Sequence, residues 1–198
     1  MEHHMSLIVG SDWLGVLTAQ VWFVTAGLKD ENVALLKVVN GSYKFNSLNC
    51  EVTAPEIVYL KECRIKAIDR KHNKLNVTVV LKEDITQIDL NFRIVKREIG
   101  GWHPFFYNIR MEVCEFFRNR RKFFIANYMY SIMRPFSNIN HTCPYVANEE
   151  ISIKNFSPSE DTILAKFPVD YGQYGLQSVF YVRNAVAFKV NGSVLFFR

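Results

Sequence analysis

The chain has 198 residues, of which 49% are hydrophobic and 14% aromatic, and its formal net charge is +5. This length provides one full hydrophobic core and excludes two ordinary domains. No segment is Gly/Ser/Pro-rich or of low complexity, and no internal repeat occurs. The four cysteines allow two disulfides if the protein folds in an oxidising compartment.

The N-terminal segment indicates that compartment. An uncharged apolar run of thirteen residues, 14–26, ends in Val24-Thr25-Ala26, the kind of sequence that signal peptidases cleave. The run is too short to span a bilayer, which takes about 20 residues. We therefore predict a signal peptide over residues 1–26 and a single secreted domain over residues 27–198. A buried strand and a retained membrane anchor are the alternatives.

Four β-strands are predicted next. Residues 42–50 and 59–68 bracket a turn and are predicted to pair as a hairpin. Residues 75–81 and 88–94 alternate between apolar and polar side chains, which is typical of half-buried antiparallel strands. Asn76 is expected on the solvent face. The predicted inward rows are Leu75, Val77, Val79 and Leu81 in the first strand, and Ile88, Leu90, Phe92 and Ile94 in the second.

The segment from Arg110 to Met133 is predicted to be helical, because it shows no alternation and has neither glycine nor proline. One continuous helix would place Arg120 on an apolar face, so we predict a break near Asn119 and two short helices. Pro135 ends the second helix. Closing strands are predicted at 175–182 and 185–197, where the Asn-Gly at 191–192 is either a hairpin turn or, as we favour, a bulge.

Cys143 lies two residues from His141 and directly before Pro144, so it is either a reactive thiol or a disulfide partner. A thiol enzyme needs a thiolate, a base and an orienting group. Here the histidine sits inside the glycosylation sequon of Asn140, which favours a structural disulfide. The predicted pairs are Cys50–Cys63 and Cys114–Cys143, the connectivity that keeps both loops short.

Five Asn-x-Ser/Thr sequons support export. The one at Asn155 is set aside because Pro158 follows its serine. The predicted glycosylation sites are Asn40, Asn76, Asn140 and Asn191, of which we expect Asn76 and Asn140 to carry glycans.

Other chemistry has little support in the sequence. The histidines show no paired metal-ligand spacing, and no Gly-x-Ser-x-Gly element indicates an esterase. We therefore expect no enzyme activity, no cofactor and no metal.

The basic run at 118–122 lies among phenylalanines. It suits the binding of acidic lipid headgroups or glycans, or is simply a solvated turn. We expect no nucleic acid, since exported proteins seldom meet it.

Four stretches carry a family resemblance in order along the chain: CEVTAPEIVYLKECRIKAIDR, GGWHPFFYNIRMEVCEFFRNRRK, PFSNINHTCPY and FPVDYGQYGLQ. Together they resemble a large fly family of small secreted proteins of unknown function that includes the CheB chemosensory proteins. The resemblance implies a distant likeness to lipid-recognition (ML) domains, which are two-sheet β-cups that hold a lipid between the sheets. It also implies a role in pheromone or taste reception.

The predicted fold is mainly β: a two-sheet antiparallel β-sandwich or β-cup, ML-like and immunoglobulin-like, with a short helical insertion at 110–133. We expect non-catalytic binding of a hydrophobic small molecule or lipid, with a chemosensory membrane receptor or channel as a further partner. The alternative is a secreted adaptor glycoprotein that binds another protein and has no ligand cavity. The expected ligand contacts are the two inward rows with Phe117, Phe124 and Tyr128, and the expected rim charges are Arg118, Arg120, Arg121 and Lys122.

Overall fold

The structure is a computed structural model that describes residues 41–105, 108–166 and 169–198. All of them belong to one unit, residues 39–198. The predicted signal peptide and the sequon at Asn40 lie outside the described residues. The strands are β1 (Ser42–Val52), β2 (Val58–Ala67), β3 (Asn73–Leu81), β4 (Asp89–Glu98), β5 (Gly101–Pro104), β6 (Ile109–Glu112), β7 (Glu150–Phe156), β8 (Gly172–Val182) and β9 (Ala185–Phe197).

Three α-helices accompany the strands in the described part of the chain. They are α1 (Val113–Arg118), α2 (Phe124–Met133) and α3 (Glu160–Lys166), and 3-10 turns occupy residues 120–122 and 134–136. None of the helices found in the described ranges is long and apolar enough to cross a membrane.

The strands form two antiparallel sheets. The large sheet has the order β1-β9-β8-β4-β5, and β6 pairs with the first half of β4 on the edge that β5 occupies further along. The small sheet has the order β2-β3-β7. Because β3 and β4 belong to different sheets, their apolar rows face each other across the interior. The predicted two-sheet sandwich is confirmed.

The predicted hairpin between residues 42–50 and 59–68 is wrong. β1 pairs with β9 in the large sheet, whereas β2 pairs with β3 in the small sheet. The connection between them is therefore an arch that crosses from one sheet to the other. Alternation of apolar and polar residues shows which side chains point inward but does not show which sheet a strand joins. The pairing of these two strands could therefore not be predicted from the sequence pattern.

The predicted disulfides are both confirmed. Cys50 on β1 is bonded to Cys63 on β2 with a Cα–Cα distance of 6.2 Å, so this bond links the two sheets directly. Cys114 in α1 is bonded to Cys143, whose Cα lies 5.4 Å away in the loop before β7. One bond thus fixes sheet to sheet, and the other fixes the helical segment to the loop that leads into the small sheet.

A buried asparagine makes a second link between the sheets. Asn73, at the start of β3, is 6% exposed. Its side chain accepts a hydrogen bond from the backbone N–H of Phe45 at 2.9 Å and donates one to the Phe45 carbonyl at 2.8 Å. Phe45 stands where the register between β1 and β9 shifts. β1 is an edge strand of the large sheet, so the backbone groups on its outer side have no neighbouring strand, and the asparagine satisfies those of Phe45.

The helical segment starts later than predicted, because residues 110–112 belong to β6. Helix α1 begins after Glu112, whose carboxylate accepts the backbone N–H groups of Cys114 at 2.8 Å and Glu115 at 2.5 Å. This is a side-chain cap for otherwise unpaired amides. The break predicted near Asn119 is confirmed, since that residue ends α1 and precedes the 3-10 turn.

The closing strands form a hairpin at a different place from the Asn-Gly pair. β9 runs without interruption through residues 191–192, and its register with β8 does not shift there. The turn lies instead at Arg183 and Asn184, whose φ angles of 51° and 63° are those of a two-residue hairpin turn. The prediction of one long strand is therefore correct, but the favoured bulge at 191–192 is wrong. The register shifts lie between Phe45 and Ser47 in the β1–β9 pairing and between Phe180 and Tyr181 in the β8–β9 pairing.

The inter-sheet disulfide generates a stability prediction. Replacing Cys50 and Cys63 together by alanine should lower the free energy of unfolding by about 3 kcal/mol, because the bond restricts the unfolded chain. Replacing Cys114 and Cys143 together by alanine should lower the free energy of unfolding slightly more. The bond between them joins residues 29 positions apart in the sequence, compared with 13 for Cys50–Cys63. Equilibrium urea unfolding measures both, with reduced wild-type protein as the control. An unchanged midpoint in the first variant would contradict the role of the inter-sheet bond.

Candidate ligand-binding cavity

Two adjoining cavities lie between the sheets. The larger has a volume of about 280 Å³ and the smaller a volume of about 200 Å³. Together they fall within the roughly 300–1,000 Å³ that is usual for small-molecule sites. Both are bordered by Val77, Met129, Met133, Ile153, Leu176 and Val190, so the two volumes meet at this shared wall.

Both predicted inward rows border this space. On the small sheet, Val79 and Leu81 line the larger cavity, Leu75 lines the smaller and Val77 lines both. On the large sheet the division is similar. Ile88, Leu90 and Phe92 line the larger cavity and Ile94 lines the smaller. The inward direction of both rows is confirmed, and the rows stand on opposite walls.

The helical segment forms part of the wall, but with a different face from the one predicted. Phe117 lines the larger cavity, whereas Phe124 and Tyr128 line neither, and Phe124 is 78% exposed. The break at Asn119 resets the phase of α2, so a face extrapolated from α1 is wrong. Ile132 of α2 lines the smaller cavity. The residues of α2 that line the larger cavity are Ala126, Met129, Tyr130 and Met133.

The spacing of those residues was visible in the sequence. They follow one another at i, i+3, i+4 and i+7, which is the apolar stripe of a core-facing helix. Phe116 of α1, only 2% exposed, completes this part of the wall. Its ring contacts Tyr130 edge to face, with centroids 5.6 Å apart, so the two helices are locked together over the larger cavity.

The wall is almost entirely apolar. Among the described residues that line either cavity, none is charged. The hydroxyl of Tyr130 donates to the carbonyl oxygen of Ile139 at 2.7 Å, and that of Tyr145 donates to the carbonyl oxygen of His141 at 3.2 Å. Burial of the Tyr145 phenol raises its pKa, so the group stays neutral. Such a lining suits an uncharged chain and disfavours a buried charge.

The four predicted rim bases differ in position. Only the Arg120 guanidinium contacts cavity-lining rings, at 5.5 Å from the Phe117 centroid and 5.2 Å from the Tyr130 centroid. This geometry explains how an arginine can lie on the apolar side of the helical segment: its charge rests on ring faces. Lys122 pairs with Glu115 at 2.5 Å. Arg118 is exposed with its Nη2 3.8 Å from Glu112 Oε2, and Arg121 is exposed.

Residues 90–176 match the model of a family described as a protein of unknown function, DUF1091. The matched stretch extends from the second residue of β4 into β8 and includes the helical segment and one complete disulfide. It supports a relationship of this part of the chain to that family. No curated protein is significantly similar to the chain.

His141 and Cys143 form no nucleophile–base pair, because the cysteine is in a disulfide. The imidazole instead lies between two oxygens: Nε2 is 2.7 Å from Glu149 Oε1, and Nδ1 is 2.9 Å from the Thr142 carbonyl oxygen. Its ring also packs on buried Tyr145, with centroids 4.5 Å apart. Through these contacts the histidine holds the loop of Cys143 against Tyr145, which lines the larger cavity. No group of three potential metal ligands occurs within the described ranges.

The predicted glycosylation sites differ in accessibility. Asn76 was expected on the solvent face and is instead 4% exposed. Its Oδ1 accepts the backbone N–H of Asn155 at 2.6 Å, and its Nδ2 donates to Glu62 at 3.2 Å. These bonds hold the side chain within the small sheet, so the prediction of an outward Asn76 is wrong. Asn140 is exposed, and Asn191 is half-buried on β9.

The environment of His141 generates a prediction about pH. The Thr142 carbonyl and the Glu149 carboxylate both favour the protonated ring and raise the pKa of His141 above its ordinary value. A raised histidine pKa contributes stability that is fully present below about pH 6.5 and is lost as the pH rises through the folded-state pKa. NMR titration should therefore give a pKa above 6.5 for His141.

The matched variant is Glu149→Gln, which keeps the shape of the side chain and removes its charge. The pKa of His141 should move towards the ordinary value, and the stability difference from wild type should be largest at acidic pH. A wild-type pKa at or below 6.5 would contradict the described contacts.

Proposed function

We propose that the protein is a secreted, non-catalytic binder of a hydrophobic or amphipathic small molecule, such as a lipid or a pheromone-like compound. The observation that carries this proposal is the apolar space between the two sheets. Packed interiors rarely leave voids larger than a water molecule. A cavity of this size, without a charged lining residue in the described part of the chain, therefore supports a site for an apolar ligand.

The energetics of an alkyl chain fit such a site. Burying a methylene group yields about 0.8 kcal/mol. A chain of roughly ten or more carbons would then bind usefully after the cost of ordering it. An amphipathic ligand would place its headgroup near Arg120, which is the one predicted rim base in contact with cavity-lining rings. The interior would accept only the uncharged part of the molecule.

Secretion and a chemosensory role rest on different observations. Two disulfides are typical of proteins that fold in an oxidising compartment, and the exposed sequon at Asn140 is available to a glycosyltransferase. The likeness to ML domains and to the CheB proteins comes from the sequence motifs. It is consistent with a two-sheet fold that is open between its sheets, and it makes a chemosensory receptor or channel the proposed membrane partner.

The second candidate is an adaptor that binds another protein. One observation favours it: α2 presents Phe124 at 78% exposure and Ile125 at 36% exposure, beside the exposed base Arg121. Aromatic and arginine side chains are enriched at protein interfaces. An adaptor, however, has no use for an apolar cavity between its sheets, so ligand uptake separates the two candidates.

Uptake of the neutral fluorescent probe N-phenyl-1-naphthylamine tests the proposal. Leu176→Trp should reduce uptake at least about tenfold, because Leu176 borders both cavities and a larger ring would fill their junction. The matched control is Val179→Trp, which adds the same ring to the same strand on the opposite face of the sheet. It should leave uptake unchanged.

Folded, monodisperse wild-type protein that takes up no probe would contradict the proposal and favour the adaptor. Equal losses in both tryptophan variants would show that the probe does not report on the cavity.

A further inference from the structure

One polar residue interrupts the apolar wall of the larger cavity. Ser178 lies in the inward row of β8, between Leu176 and Phe180. Its partners in the neighbouring strands are Phe92 on β4 and Val190 on β9. A hydroxyl thus stands in the middle of an apolar surface, with apolar side chains on all four sides.

The Ser178 hydroxyl opens onto the cavity and makes no hydrogen bond to the protein in the described part of the chain. It is not one of the enclosed polar atoms without a partner, which in the described ranges are Thr78 Oγ1, Asn91 Oδ1 and Glu160 Oε1. Ser178 is 8% exposed and borders the larger cavity. The other hydroxyls on this wall are all engaged, including the two tyrosines described above. Ser152 donates to the Asn138 side chain at 3.4 Å, and the Ser137 Oγ accepts the backbone N–H of Ile139 at 3.0 Å.

A hydroxyl that faces an apolar cavity is unfavourable, since none of its neighbours offers it a hydrogen bond. A bound water would need two to four polar partners, and the apolar neighbours of Ser178 supply none. An alanine or valine at this position would avoid the cost. The group that best satisfies Ser178 is therefore one that arrives with a ligand.

We propose that Ser178 anchors an uncharged oxygen function within an otherwise apolar ligand, such as a long-chain ester, ketone or secondary alcohol. This inference rests on the proposed function and names its ligand class. The oxygen carries apolar chain on both sides, because the cavity continues past Leu176 in one direction and past Phe180 in the other. A free carboxylate is excluded from this position, since no charged side chain lines the cavity in the described ranges.

The test compares two competitors with equal numbers of chain atoms, hexyl decanoate and heptadecane, in displacement of N-phenyl-1-naphthylamine. Wild-type protein should bind the ester more tightly than the alkane. Ser178→Ala should weaken ester binding about 2- to 10-fold, the equivalent of one hydrogen bond. It should leave alkane binding unchanged or slightly stronger, because the alkane no longer faces an unpaired hydroxyl.

The matched control is Ser152→Ala, which removes a hydroxyl from the opposite wall of the same cavity, where it is already bonded. The ratio of its affinity for the ester to its affinity for the alkane should equal that of wild-type protein. If the ratio is also unchanged in Ser178→Ala, or if the control loses ester binding equally, the anchor is disproved while ligand binding stands. Failure of the wild type to bind either competitor or the probe would instead contradict the proposed function.

Discussion

The space between the two sheets is the feature on which the rest of the structure depends. The inward rows of β3 and β4 border it from opposite sides without filling it. An empty apolar volume costs stability in proportion to its size, because its lining lacks contacts. A ligand that occupies it would return those contacts and would stabilise the folded state by mass action. If the protein binds a ligand as we propose, binding and stability are therefore linked.

The frame around that space is fixed at a few points. The Cys50–Cys63 bond and the paired hydrogen bonds of Asn73 join the two sheets on the β1 side. The Cys114–Cys143 bond ties the helical segment to the loop that His141 holds in place. None of the four cysteines, Asn73 or His141 lines either cavity. These links therefore join the frame without filling the space between the sheets.

The sequence predicted the parts of the fold that repeat with a short period. The rows in β3 and β4 follow from alternation, and the break at Asn119 follows from the conflict between Arg120 and an apolar face. What it missed depends on long-range partners. Alternation cannot say that β1 and β2 join different sheets, and the polarity of Asn76 suggested solvent although its partners are a backbone amide and a carboxylate. The role of Ser178 could not be predicted from the neighbouring sequence, because its hydroxyl stands out only once the surrounding cavity wall is known to be apolar.

Native mass spectrometry of protein secreted by insect cells and incubated with long-chain esters tests the central claim most directly. We expect a one-to-one complex whose added mass equals that of the ester and is lost on denaturation. We also expect that filling the cavity junction by Leu176→Trp abolishes the complex. Unliganded protein alone at every ester concentration, from a sample that is folded and has both disulfides intact, would contradict the account.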